Sequence, residues 1–101
     1  MGSRIEFQTK LEGILGSRNV YFQPPNNLMM RYPAIVYEVD TIQNDFANNG
    51  VYKHDIAYLV TVIDEDPDSE IKDKISKIPK TAWNRHFSAD NLNHDVFRIF
   101  F

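Results

Sequence analysis

Cysteine is absent from the 101 residues of this chain, which excludes disulfide bonds, thiolate metal ligands and a cysteine nucleophile. No apolar run approaches the roughly 18 residues of a membrane-spanning helix, and no apolar signal segment follows the N-terminus. Lysine and arginine form no basic stripe of the kind that binds nucleic acid, and the net charge is −3. We therefore expect a soluble, intracellular, mildly acidic protein with neither a membrane nor a nucleic acid as specific partner.

The length and composition predict one domain over residues 1–101. Compact domains typically contain about 100–150 residues, and a chain of this size can bury one real core without covalent crosslinks. Its hydrophobic content of 43% is that of an ordinary globular protein. Residues 1–3 (Met-Gly-Ser) resemble a cloning remnant in part, and no inference is based on them.

Hydrophobic periodicity and turn residues divide the chain into seven helices and strands, one polar loop and one turn. Strand 51–64 is apolar on both faces at its centre, which places it in the middle of a sheet. This order predicts an α+β fold, with a mostly antiparallel sheet of about five strands and two helices packed on one face. The predicted elements are helix 3–16, strand 18–23, strand 34–42, polar loop 43–50, strand 51–64, helix 67–78, strand 81–89, turn 90–93 and strand 94–101.

The acidic run "DEDPDSEIKDK" (64–74) has two interpretations. Asp64, Asp66 and Asp68 occupy the first, third and fifth positions of a calcium-binding loop, but Ser69 stands where that loop needs glycine. The start of a helix explains more of these residues than a calcium loop does, with Asp66 as the N-cap and Pro67 as the first helical residue. We therefore predict no metal site, while a weak divalent site at the three aspartates stays open as an alternative.

The histidines offer no catalytic or zinc-binding motif. His54, His86 and His94 lack the spacings of zinc proteins, although the last two could approach each other across a hairpin. Ser88, His86 and Asp90 lie on one strand and would point in parallel, whereas triad chemistry needs convergence. We expect no enzyme activity and no cofactor.

The chain ends in the aromatic sequence "FRIFF" (97–101). Phe100 and Phe101 should face opposite sides of a strand, so at least one is expected to be uncovered in a monomer. An uncovered terminal aromatic side chain indicates a partner surface.

Four segments resemble the small tail terminator (tail completion) proteins of long-tailed phages and prophages. They are "RNVYFQPP" (18–25), "YPAIVYEVD" (32–40), "YLVTVIDEDPDSEIKDKI" (58–75) and "FSADNLNHDVFRIFF" (87–101), in the expected order. The resemblance implies an α+β fold and a structural role. Such proteins form a ring, typically of six subunits, that caps the head-proximal end of the tail tube, stops its polymerisation and joins tail to head.

The resemblance implies three partners: other copies of the chain, the tail tube protein and the head–tail connector protein. It also implies a location in the virion tail or neck, and in the host bacterial cytoplasm during assembly. Alternatives are another phage neck, head-completion or minor capsid protein, a small α+β binding module, and, last, a metal-dependent enzyme. The residues expected at interfaces are Asn48, Asn49, Asp64, Glu65, Asp66, Asp90, Asn91, Asn93 and Phe101.

Overall fold

The computed structural model describes residues 4–25, 29–46 and 52–101. In these ranges the chain forms two helices and a five-stranded sheet, which confirms the predicted α+β fold. The elements are α1 (Arg4–Leu15), β1 (Val20–Phe22), β2 (Ala34–Phe46), β3 (Tyr52–Asp64), α2 (Glu70–Ser76), β4 (Thr81–Ala89) and β5 (Leu92–Phe100).

The strands lie in the order β1-β2-β3-β5-β4. β1 is parallel to β2, and every other neighbouring pair is antiparallel. β3 occupies the centre of the sheet, as its apolar sequence predicted. β4 forms one edge over its full length, whereas β1 covers the outer side of β2 only from Ile35 to Tyr37.

Both helices pack on the same face of the sheet. Phe7 and Leu11, which lie one helical turn apart, are the buried residues of α1, and Ile75 of α2 joins them in one core cluster. Ile5 lies outside this cluster, with 66% of its surface exposed. Gly16 follows the last residue of α1 with a φ of 80°, the left-handed conformation that glycine adopts readily after a helix.

Tyr37 lies at the centre of the core. Its ring contacts that of Phe7 edge to face, with 5.5 Å between centroids, and its hydroxyl donates a hydrogen bond to Oε1 of Gln8. Arg4 donates to the same hydroxyl at 3.2 Å. Burial raises the pKa of Tyr37, and it also raises the pKa of Tyr58 next to it. These contacts join α1 to the middle of the sheet.

The second helix starts three residues later than predicted. Ser69 is the N-cap of α2, since its Oγ accepts a hydrogen bond of 3.2 Å from the backbone N–H of Ile71. Asp66, the predicted cap, instead accepts from the N–H of Asp68 at 2.9 Å. This local turn competes with helix formation, which explains why Pro67 lies outside the helix.

The second strand is longer than predicted. Residues 43–46, assigned from the sequence to a polar loop, continue β2 and pair with β3, where Asn44 lies opposite His54 and Phe46 opposite Tyr52. Neither β1 nor β5 reaches these pairs, so they form a two-stranded ribbon beyond the main sheet. Asn48 and Asn49, two of the expected interface residues, lie outside the described residues.

The hairpin between β4 and β5 has a shorter turn than predicted. Asp90 and Asn91 alone form it, with φ angles of 54° and 63°. Two consecutive left-handed residues match the right-handed twist of the flanking strands, and aspartate and asparagine tolerate that conformation. Leu92 and Asn93 therefore belong to β5 and not to the turn.

Candidate interface at one end of the sheet

The structure brings two separate parts of the sequence together at one end of the sheet. We call this surface the rim; it consists of residues 64–68, at the end of β3, and of the turn with the residues that follow it, 90–93. The register explains the arrangement, because Asp64 lies opposite Asn93, and Asn93 lies opposite Ser88 of β4. Six of the nine expected interface residues belong to the rim.

Asn93 joins the two parts of the rim. Its Nδ2 group donates hydrogen bonds to the backbone carbonyls of Asp64 and Glu65, at 3.4 and 3.3 Å. The two carbonyl groups lie where β3 and its ladder of backbone hydrogen bonds end, so they need a donor from a side chain. The side chain expected at an interface therefore has a structural role, since it positions the acidic segment beside the hairpin.

The rim is acidic, with carboxylates at Asp64, Glu65, Asp66, Asp68 and Asp90. Among the described residues, none of these carboxylates forms an ion pair with a lysine or arginine. Lys72 lies near the segment, but its Nζ donates to the carbonyl of Pro67 at 2.6 Å. Neighbouring like charges repel each other, so the rim favours a partner surface that is positively charged.

The carboxylates of the rim do not form a cation cage. Asp64 accepts a hydrogen bond from the N–H of Asp66 at 3.0 Å, and Asp66 repeats the pattern with Asp68. Each side chain thus folds back on its own backbone. Within the described parts of the chain, no three histidine, aspartate or glutamate side chains are grouped closely enough to hold a metal ion.

His86 and His94 do not face each other. His86 lies opposite Asp95, with 2.9 Å between Nδ1 and Oδ1, whereas His94 stacks on Phe87 with 4.5 Å between ring centroids. Because successive residues of β5 alternate between faces, the two histidines lie on opposite sides of the sheet. The approach across the hairpin that the sequence left possible therefore does not occur. Sequence analysis also missed the pair between His86 and the buried Asp95, which depends on the exact register.

Phe101 does not belong to the rim. Its ring lies 4.8 Å from that of Phe7, and its backbone N–H donates to the carbonyl of Ile56, eight residues from the rim along β3. Phe100 and Phe101 are both half-buried, and Arg98 stacks over the ring of Phe100. Phe101 thus packs against the core at the far end of the sheet, while both terminal rings keep part of their surface exposed.

The face of the sheet opposite the helices carries a shallow groove of about 380 Å³. The sheet contributes Val36, Thr61 and Ile63 and the stacked Phe87–His94 pair, while Pro24, Pro25 and Met30 lie along the other side. The lining is mainly apolar, and its polar members include Gln23, Glu38 and His94.

No family model matches this chain, and no curated protein matches it significantly. In the described ranges, neither helix is long and apolar enough to cross a lipid bilayer.

Proposed function

We propose that this protein is a structural component of a phage tail that caps the head-proximal end of the tail tube as a ring of identical subunits. The proposal starts from the resemblance of four segments to tail terminator proteins. One structural observation supports it: residues 64–68 and 90–93, which are about 25 positions apart in sequence, converge on one acidic surface. A single binding surface at one end of a rigid sheet is suited to a protein that contacts its partner end to end.

The rim is proposed to contact the tail tube protein. Its five carboxylates have no ion-pairing lysine or arginine among the described residues, so a basic surface on the tube end would relieve their mutual repulsion. Charge complementarity of this kind mainly accelerates docking and selects the partner, and it weakens as salt is added. The opposite end of each subunit would then face the head–tail connector protein.

A capping assay with purified tail tube protein tests this function. Tube lengths are measured by electron microscopy after polymerisation with and without the protein. The wild-type chain should give short, uniform tubes. The double substitution Asp64→Lys and Asp66→Lys should restore long tubes, because it reverses charge at the rim.

Asp73→Lys is the matched control, since Asp73 is an exposed acidic residue of α2 outside the rim. This variant should cap as well as the wild type. If the rim variant is folded and still caps the tubes, the rim is not the contact surface. If the wild-type chain has no effect on tube length at any concentration, the proposed function itself is wrong.

A further inference from the structure

The groove on the face of the sheet opposite the helices begins next to the rim. Ile63 and His94, which both line the groove, lie opposite each other on β3 and β5. The next pair along these two strands is Asp64 with Asn93, which belongs to the rim. One residue advances a strand by only about 3.4 Å, so the groove and the rim form one continuous surface.

The groove also has a carboxylate at its other end. Glu38 is exposed, lines the groove and lies opposite Leu59 of β3. Leu59 and Asp64 are five residues apart on β3, which corresponds to about 17 Å along the strand. Acidic groups therefore lie at both ends of a mainly apolar groove, and an extended segment of about five residues spans the distance between them.

The groove is large enough to accept a side chain of a partner. Its volume of about 380 Å³ lies within the range of about 300–1,000 Å³ that is typical of ligand pockets. Phe87, which lines it, is 38% exposed, and Met29, the neighbour in sequence of the lining residue Met30, is 91% exposed. Exposed apolar side chains of this kind beside a groove are typical of a contact surface.

The side of the groove formed by Phe87 is held in place by its neighbours. The Phe87 ring stacks on the ring of His94, with 4.5 Å between centroids and 14° between planes. Cζ of Arg85 lies 5.3 Å from the centroid of the same phenylalanine ring. A ring that is already fixed loses little side-chain freedom when a partner binds. Because Arg85 lies on this side, positive charge on a partner is favoured at the acidic ends and not beside Phe87.

We propose that the groove binds an extended segment of the protein that contacts the rim, and that a large apolar side chain of this segment fills the groove. Lysine or arginine residues on both sides of that side chain contact Glu38 at one end and the rim carboxylates at the other. This chemistry follows from the groove and its acidic ends, whereas the identity of the partner as the tail tube protein rests on the proposed function.

The two parts of this contact differ in their dependence on salt. Attraction between exposed charges is screened over a Debye length of about 8 Å at 0.15 M salt, whereas the burial of apolar surface does not depend on charge. Loss of the groove contact therefore weakens binding at every concentration of sodium chloride. Loss of an acidic end weakens binding mainly at low salt. This difference separates a contact in the groove from a contact made by the rim alone.

The capping assay tests the groove when the chain is titrated at low and at high sodium chloride. The measured quantity is the concentration of the chain that gives half of the maximal shortening of the tubes. Thr61→Phe fills the floor of the groove, and Phe87→Ala removes one of its sides. Each substitution should raise this concentration at least about tenfold at both salt levels.

Two further variants complete the titration. Glu38→Lys reverses the charge at the end of the groove away from the rim and should raise the half-maximal concentration mainly at low salt. Ala82→Phe is the matched control, because Ala82 is exposed on the same face of the sheet and does not line the groove. This variant should cap the tubes as well as the wild type.

Photo-crosslinking tests the contact directly. The photoreactive residue p-benzoylphenylalanine replaces Phe87 or, as a control, Trp83, which is 62% exposed on the same strand but lies on the face that carries the helices. Irradiation of capped tubes should link the chain to the tail tube protein from position 87 and not from position 83. The linked product is detected on a denaturing gel.

The inference is overturned if Thr61→Phe is folded by circular dichroism and caps at the wild-type concentration, or if the probe at position 87 forms no link to the tube protein. If Thr61→Phe does not fold, Phe87→Ala and the probe decide the question, since both change a side chain that is partly exposed. A wild-type chain that does not cap overturns the proposed function and this inference with it. A wild-type chain that caps while the groove variants cap equally well overturns the groove contact alone.

Discussion

Replacing Phe7 by alanine should destabilise the protein more than any other alanine substitution in α1. Phe7 is fully buried, and its ring lies 4.7 Å from that of Tyr58, 4.8 Å from that of Phe101 and 5.5 Å from that of Tyr37. It therefore joins the helix to two strands and to the C-terminal residue. A helix of only 12 residues is marginal in water without such packing.

The expected loss follows from the size of the side chain and its partners. A buried phenylalanine replaced by alanine costs about 3–5 kcal/mol, including the cavity that is left. Three aromatic neighbours place Phe7 toward the upper part of that range, since such pairs add about 0.5–1.5 kcal/mol beyond area alone. A domain of this size is typically stable by about 5–15 kcal/mol, so the variant should lose about a quarter of its stability or more.

Urea unfolding followed by far-UV circular dichroism measures this loss. With a slope of about 2 kcal/mol per molar urea, the midpoint should fall by about 2 M. Ile5→Ala is the control, because Ile5 lies on the exposed side of the same helix and should change stability by less than about 0.5 kcal/mol. A loss below about 1 kcal/mol for Phe7→Ala would refute the reasoning, since α1 would then not be packed on the sheet as described.

Two further predictions concern buried polar groups. Burial raises the pKa of Tyr37 and of Tyr58, so the folded chain keeps their protons at a pH where the unfolded chain has released them. The free energy of unfolding should be unaffected below about pH 10 and should fall above it, by at most about 1.4 kcal/mol per pH unit for each tyrosine. Urea midpoints measured from about pH 9 to about pH 11 test this prediction. A midpoint that does not change with pH would contradict it. His86→Ala removes the hydrogen-bond partner of Asp95, which is 8% exposed, and should cost about 1–3 kcal/mol. Thermal unfolding of this variant and of the double variant with Asp95→Ala tests the coupling, which is absent if the two single losses simply add.

Much of the fold could be predicted from the sequence because its local signals are strong. The central position of β3 followed from a strand that is apolar on both faces, and the order of two helices and five strands followed from hydrophobic periodicity and turn residues. Element boundaries were harder where two local hydrogen-bonding patterns compete. The side chains of Asp64 and Asp66 bond to nearby backbone N–H groups, so helix α2 starts at its cap Ser69 and not at the aspartate before Pro67.

Composition misled the prediction at the end of β2. The segment 43–46 is polar, and polar segments between strands are usually loops. Backbone pairing with β3 nevertheless continues through Phe46, because the hydrogen bonds of a hairpin need no continuous apolar pattern. No local signal in the sequence indicates this extension of β2.

The rim and the His86–Asp95 pair show that the residues of a site cannot be paired correctly from sequence until the register of the strands is known. A four-residue turn over 90–93 would place Ala89 opposite His94 and Ser88 opposite Asp95, so His86 would have no carboxylate beside it. The two-residue turn shifts the pairing, which brings Asp95 opposite His86 and Asn93 opposite Ser88. Asn93 then lies at the end of β3, where its amide reaches the carbonyls of Asp64 and Glu65. The residue types of the rim were therefore visible in the sequence. Their convergence depends on the left-handed conformation of Asp90 and Asn91, which sets the register of the hairpin. That conformation is determined only when the hairpin folds.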